Sequence, residues 1–361
     1  GIKGIPEHPV AWLYAVAKNK TKNHFKRTSL FTEKIAPDIK QKTTATTEID
    51  LSDSGIADSQ LAMIFTVCNP VIAAEAQIAL ALQLLCGFGV QEIADAFLTN
   101  KETIYKRIKR AKEKLKELQI KIEIPEPGLL EQRLIPVLTT LYLLFNEGYY
   151  SISGDRPLKQ EFSAEAMRLV LLLLENSRTN LPAANALMAL MCFHTSRFQA
   201  RISENGDLIL YEDQDTSLWE PVLIEKGIYY LNQAARGQQL TKFHLEAGIA
   251  YWHTRPGDDP EKWEAILQLY NQLLVLEYTP IAALNRTYAL AKANGIDEAI
   301  TEAEQLKQEN NHFYYILLGT LYKERDAQKA LSLFHKAKEF AKSENDRQLI
   351  SKKIDQLKDI C

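Results

Sequence analysis

Lys101, Thr103, Lys106, Arg107, Lys109, Arg110, Lys112 and Lys114 crowd one short stretch of the chain with ammonium, guanidinium and hydroxyl groups. The chemistry such groups offer at helical spacing is that of a polyanion reader. Ammonium groups hold phosphates, and guanidinium groups bind base edges bidentately. Between them run Ile104, Ile108, Ala111 and Leu115, a single narrow apolar seam, so the stretch is expected to be a helix lying on a partner. The partner precedes it. In VQEIADAFLTN, Val90, Ile93, Ala94, Phe97 and Leu98 recur at i, i+3, i+4, i+7 and i+8 and make one apolar stripe. Thr99 and Glu102 have the T-x-x-E spacing of a capping box, which starts a new helix at the turn. The competing reading is a solvated basic surface on an ordinary helical hairpin. The capped turn, the spacing and the one-sided basicity together favour a helix-turn-helix with its second helix in a DNA major groove.

Other chemistry is sought and not found. Glu147 and Asp155 make an imaginable carboxylate pair, and His194 and His244 imaginable bases. Asn146-Glu147-Gly148 reads as the end of an apolar helix, however, and both histidines lie in apolar helices without a spaced partner, which favours structural roles. There is no P-loop, no glycine-rich dinucleotide turn and no H-E-x-x-H. Glu212-Asp213-Gln214-Asp215 lacks the glycine and terminal Glu of a calcium loop. Cys68, Cys86, Cys192 and Cys361 show no ligand spacing and read as reduced thiols of a cytoplasmic protein. No enzyme, cofactor or metal is expected, and no apolar run of membrane-spanning length is seen, Leu169–Leu174 being bounded by charge.

Length and charge place these features. A chain of 361 residues is expected to hold two or three domains. The net charge of -3 hides an asymmetry: residues 1–123 carry 18 Lys and Arg against 14 Asp and Glu, the remainder 25 against 32. Positive charge is concentrated at 18–27 and 101–121, with no Lys or Arg from 43 to 100. Two separate phosphate contacts follow, and an acidic C-terminal part outside them.

Residues 9–28, PVAWLYAVAKNKTKNHFKRT, read as one helix with Trp12, Leu13, Val16 and Ala17 on an apolar side and Lys18, Lys20, Lys22, Lys26 and Arg27 on the other. Residues 29–55 are polar and aperiodic, the composition of a flexible linker. Helical pattern resumes at Asp58–Val67 and Ala73–Leu85. Past Pro125, Pro127 and Gly128 nearly everything reads as helix, except that Asn205-Gly206 between two alternating segments predicts a small β-hairpin. Near the end, Tyr315, Leu318, Gly319 and Tyr322 followed by Ala330, Phe334 and Ala337 show the large–small alternation of tetratricopeptide repeats, and Ala299 and Ala303 look like a poorer copy.

This order of modules resembles the extracytoplasmic-function (ECF) sigma factors of bacterial RNA polymerase, in the branch with a tetratricopeptide-like C-terminal extension. PVAWLYAVAKNKTKNHFKR is similar to the end of sigma region 2, where a W-L motif precedes a basic helix at the promoter −10 element. AMIFTVCNPVIAAEAQIALALQLLCGFGVQEIADAFLTNKETIYKRIKRAKEKL resembles region 4, which reads the −35 element, and LYLLFNEGYYSISGD and LILYEDQDTSLW resemble landmarks of the extension. The resemblance implies an all-α fold: residues 1–28 the C-terminal part of region 2, 29–55 a linker, 56–123 region 4, and 124–361 a helical-repeat domain. It implies promoter DNA and core RNA polymerase as partners, a protein or small-molecule partner for the extension, and no membrane. Arg107 or Arg110 would meet guanine beside Thr103 and Lys106; Lys101, Lys109 and Lys114 would hold phosphates; and Lys18, Lys20, Lys22 and Arg27 would hold backbone near the −10 element. The loop Gly4–Pro9 would capture an unstacked base, and Trp12, in register with Val16, reads as core. Two departures stand out. The clamp-docking start of region 2 would precede Gly1, and Val67-Cys68-Asn69 stands where the family often has Cys-Cys-His. The alternative function is a DNA-binding regulator whose helical-repeat domain senses a ligand or protein without engaging polymerase.

Overall fold

Prolines and short polar caps set the helix starts in the second half of the chain. Pro182, Pro221, Pro260 and Pro280 each stand in a first helical turn, where the missing N–H costs nothing. Asp259, Thr279 and Asp326 accept from the backbone of Lys262, Ala282 and Lys329 at 2.9, 3.1 and 2.8 Å. The computed structural model describes residues 53–97, 99–149, 157–201, 209, 211–341 and 344–358. The architecture is all-α, as expected, with fifteen α-helices and no strand among the described residues.

The chain divides into two units, Gly1–Leu129 and Leu130–Cys361. In the first, α1 (Asp53–Val67) and α2 (Ala74–Leu80) are followed by α3 (Val90–Ala96) and α4 (Lys101–Glu117). Helix α1 starts before the expected Asp58, so residues 53–55, assigned to the linker from their composition, are helical. The rest of that linker, the basic segment 1–28 and the loop Gly4–Pro9 lie outside the described residues. After Leu80 the helix widens into a π turn, Ala81–Leu85, where the Cys86 N–H reaches back to the Ala81 carbonyl at 3.1 Å. Leu61, Ile64, Phe65, Leu80, Leu82 and Ile93 form the core.

The second unit begins with α5 (Pro127–Tyr149), α6 (Pro157–Glu175) and α7 (Pro182–Ser196). Helix α7 is apolar nearly all round, from Ala184 to Phe193, and is buried accordingly. Helices α8 (Pro221–Ala234) and α9 (Lys242–Trp252) pack against it. Gly227 of α8 is needed there, since a Cβ would run into the Phe193 ring. Among the described residues only α5 is long and apolar enough to cross a membrane by length and composition. The sequence reading overlooked it because Glu131 and Arg133 interrupt the run. Its Leu134, Val137, Leu138, Leu141 and Leu144 are buried in the fold, and its Phe145 carbonyl accepts from Ser163 of α6 at 2.9 Å.

The remaining helices, α10 (Pro260–Leu276), α11 (Pro280–Asn294), α12 (Ile296–Leu306), α13 (His312–Tyr322), α14 (Ala327–Phe340) and α15 (Glu344–Lys358), pack in succession over one continuous core. The large–small alternation has a direct physical reading here. A Cβ on Gly319 would sit 2.7 Å from the Phe334 ring, so α13 and α14 approach closely only because that position is bare. Ala299, Ala303, Ala330 and Ala337 are fully buried in the same core. The expected hairpin around Asn205-Gly206 falls on residues outside those described. On either side the chain is 3-10 helix, at Gln199–Arg201 and Tyr211–Asp213, tied by the Ile209 N–H to the Arg201 carbonyl at 2.8 Å. Tyr211 anchors this segment by accepting from the buried Lys262 ammonium at 2.8 Å, whose other protons go to the Arg255 and Gly257 carbonyls. A buried cation is tolerable when all its donors are used in this way.

Candidate nucleic-acid interface

Helix α3 opens where Glu92 turns back to accept from the Gly89 N–H at 2.5 Å. It buries Ile93, Ala94 and Ala96 and leaves Val90 and Phe97 half-buried; Leu98 is outside the described residues. The chain then turns through Thr99, whose N–H reaches the Ala94 carbonyl at 3.0 Å. The cap that starts α4 differs from the expected Thr99–Glu102 box. Asn100 is the N-cap, and its Oδ1 accepts from the Thr103 N–H at 2.7 Å. An amide oxygen serves this position as well as a hydroxyl does, and the start moves one residue along. Glu102 is thereby turned to solvent, where it pairs with Lys106 at 2.8 Å.

The seam of α4 is as the spacing predicts: Ile104, Ile108 and Ala111 are buried and Leu115 is half-buried. Helices α2 and α3 both pack on α4. The opposite side is charged. Thr103, Lys106, Arg107, Arg110 and Lys114 line an open groove of about 420 Å³, whose other wall is Ile72, Ala73 and Ala76. Of these five, Thr103 and Arg107 are half-buried and Lys106, Arg110 and Lys114 exposed. Lys101 and Lys109 are exposed and lie outside the groove, Lys109 beside Glu113 at 3.8 Å. Both carboxylate pairs are solvent-exposed and within one helix, worth about 0.3–0.5 kcal/mol each, so they do not withhold the cations from a phosphate.

Lys112 departs from the basic face. Its ammonium donates to Gln83 on the π turn at 3.0 Å, and burial lowers its pKa. The bond turns Lys112 toward the π turn and away from the groove, though the residue stays exposed. Lys18, Lys20, Lys22 and Arg27 lie outside the described residues. The sequence reading missed the apolar wall Ile72–Ala76, which lies far from α4 in sequence, and the cap Asn100, a residue of the right type one place past the one chosen.

The residues weighed for other chemistry are placed as follows. His194 sits beside Tyr149, with ring centroids 4.9 Å apart, and burial with the neighbouring Arg197 holds its pKa well below the usual value. His244 Nδ1 accepts from the Thr241 N–H at 3.1 Å, closing the first turn of α9. Glu147 is half-buried in α5, and Asp155 is outside the described residues. Asp215 caps the 3-10 turn Thr216–Leu218 through the Ser217 N–H at 2.9 Å. Among the described residues no three His, Cys, Asp or Glu side chains gather into a possible metal site.

Residues 133–235 match a family of unknown function, DUF6596, so the match begins in α5 and ends just past α8. The whole chain is similar to an uncharacterized protein of Rhizobium meliloti (strain 1021), with 33% identity over 367 residues, covering 98% of this chain and 85% of that protein. The chain belongs to the family of that protein. No solved structure gives a significant match.

Proposed function

We propose that this protein is a promoter-recognition factor of the ECF sigma type, which brings core RNA polymerase to DNA and reads a −35-like element with α4. The observation that supports this reading is the division of α4 into two faces. Ile104, Ile108 and Ala111 fix it to α2 and α3, while Thr103, Lys106, Arg107, Arg110 and Lys114 share one open groove. A recognition helix needs both properties at once, rigid support behind and donors in front. Arg107 and Arg110 supply the guanidinium forks for guanine, and Lys101, Lys109 and Lys114 the phosphate contacts. The segment carrying Lys18, Lys20, Lys22 and Arg27 takes the −10 element, and the helical unit regulates. Genomic fragments selected by the protein together with core polymerase test the proposal. A shared motif pair upstream of transcription starts is the expected result. Enrichment that is independent of polymerase would favour a DNA-binding regulator, and no enrichment would refute both.

A further inference from the structure

The second unit contains a cavity of about 260 Å³ that no step of promoter recognition uses. Its wall is partly aliphatic, through Ile249 and Leu273, but charged and titratable groups converge on it from several helices, Lys242 and Glu277 among them. Helix α7 contributes His194 and its C-cap residue Arg197, α9 contributes Glu246 and its C-cap residue His253, and α5 contributes Tyr142. Buried polar atoms in a helical-repeat core are normally hydrogen-bonded, because an unmet one costs about 1–3 kcal/mol. Here Glu246 Oε2, His194 Nδ1 and His253 Nδ1 are out of solvent contact with no partner. The atoms themselves are shut off from solvent, but the three side chains that carry them all line one cavity, so a ligand there would supply the missing bonds through side-chain rotation.

The charges sort to two ends. Arg197 is buried and lies near both His194 and His253, whose pKa values burial and, secondarily, its charge hold below the usual value. Glu246 lies instead by Tyr142 and Lys242, and Lys242 is already paired with Glu277 at 3.1 Å. Burial pushes the Glu246 carboxyl up to about 7, so a bound cation would draw it into the ionised form. Glu246 and His253 are two turns apart on α9, roughly 10 Å along its axis. A cationic end and a carboxyl end at that spacing, around a cavity at the small limit of ligand pockets, fit one compact molecule carrying both charges. We propose that this cavity binds a small zwitterion, an amino acid or dipeptide. Its carboxylate meets Arg197, His194 and His253, and its ammonium meets Glu246.

The test uses the full chain without DNA, so its outcome is independent of the promoter reading. Thermal shift and calorimetry are run with α-amino acids, ω-amino acids, dipeptides, and matched amines and carboxylates that lack one of the two charges. At least one zwitterion is expected to bind, with each one-charge analogue weaker by about tenfold or more. Glu246→Gln keeps the shape and removes the charge, and is expected to weaken binding at least as much while leaving the helical circular dichroism intact. Asn285 is an exposed lining residue, and Asn285→Trp is expected to obstruct entry without disturbing the core. No binding by any zwitterion, equal binding by an analogue without the ammonium, or undiminished binding by Glu246→Gln would overturn the proposal. If Glu246→Gln does not fold, undiminished binding by Asn285→Trp overturns it instead.

Discussion

Lys114→Ala and Arg110→Ala should weaken DNA binding in different ways, and the difference can be worked from the groove. Four cations line it: Lys106, Arg107, Arg110 and Lys114. Arg107 and Arg110 are kept for base edges; if the phosphate holders Lys101, Lys109 and Lys114 each neutralise one phosphate's counterion atmosphere, they contribute about −2.7 to the slope of log affinity against log salt, or roughly 40-fold between 50 and 200 mM. Lys114→Ala removes one such contact. The slope becomes shallower by about 0.9, and cognate and random duplexes lose affinity alike. Arg110→Ala should cost the cognate site about 1–3 kcal/mol and relax its preference at one base pair. Both side chains are exposed, so either substitution should leave stability within about 0.5 kcal/mol. Fluorescence anisotropy on cognate and scrambled duplexes at several salt concentrations reads all of this. Cations elsewhere in the chain add to the absolute slope, so the comparison between variants is the measurement. An unchanged slope for Lys114→Ala, with cognate binding by Arg110→Ala equal to the parent, would show that this face does not meet DNA.

Further consequences follow from the same geometry. Asn100→Ala removes the cap of α4, should cost about 1 kcal/mol of stability, and should weaken both kinds of DNA, with Asn100→Asp restoring them; a Tm equal to the parent's would refute the cap. Gly319→Val drives its side chain into Phe334, should cost about 1–3 kcal/mol by urea unfolding, and should be partly relieved in a double variant with Phe334→Leu. A strictly additive pair would mean the two do not touch. The cavity also has a pH signature. Burial lowers His253 from 6.5 to about 3, so its contribution is present above about pH 6.5 and lost as pH falls toward 3. Glu246, raised from 4.5 to about 7, binds protons in the folded state over part of that range and offsets the loss. Glu246→Gln should therefore steepen the loss of stability between pH 6.5 and 5, and an unchanged slope by urea titration would show that Glu246 does not titrate there.

How much of this was legible depends on whether a feature is local. The seam of α4 was readable because Ile104, Ile108 and Ala111 repeat at the helical period and burial follows the period. The Gly319–Phe334 contact was readable as large–small alternation, although only the structure shows which ring fills which gap. Lys112 was not, because its direction is set by Gln83, which comes earlier in the chain on a π turn that no periodicity announces. The start of α4 was misplaced by one residue because Thr99 and Asn100 are both good caps, and only the backbone decides between them. His194 was read as structural from its apolar helix. The structure makes it one of a set, since Arg197 lies one turn along and His253 comes from α9. That assembly across helices left no spacing signal in either segment.

The two sites follow opposite electrostatic rules, which separates their roles experimentally. Lys106, Arg110 and Lys114 of α4 face water, so any pull they exert on a polyanion is screened by ordinary salt over about 8–10 Å. Groups in the helical unit's cavity are desolvated, so screening ions reach them poorly and their charge states depend on what occupies the cavity. Raising salt from 50 to 200 mM should thus weaken DNA binding steeply and leave zwitterion binding nearly unchanged. If instead both fall together, the cavity charges are solvated and the buried, unmet atoms that motivate a ligand there are satisfied by water.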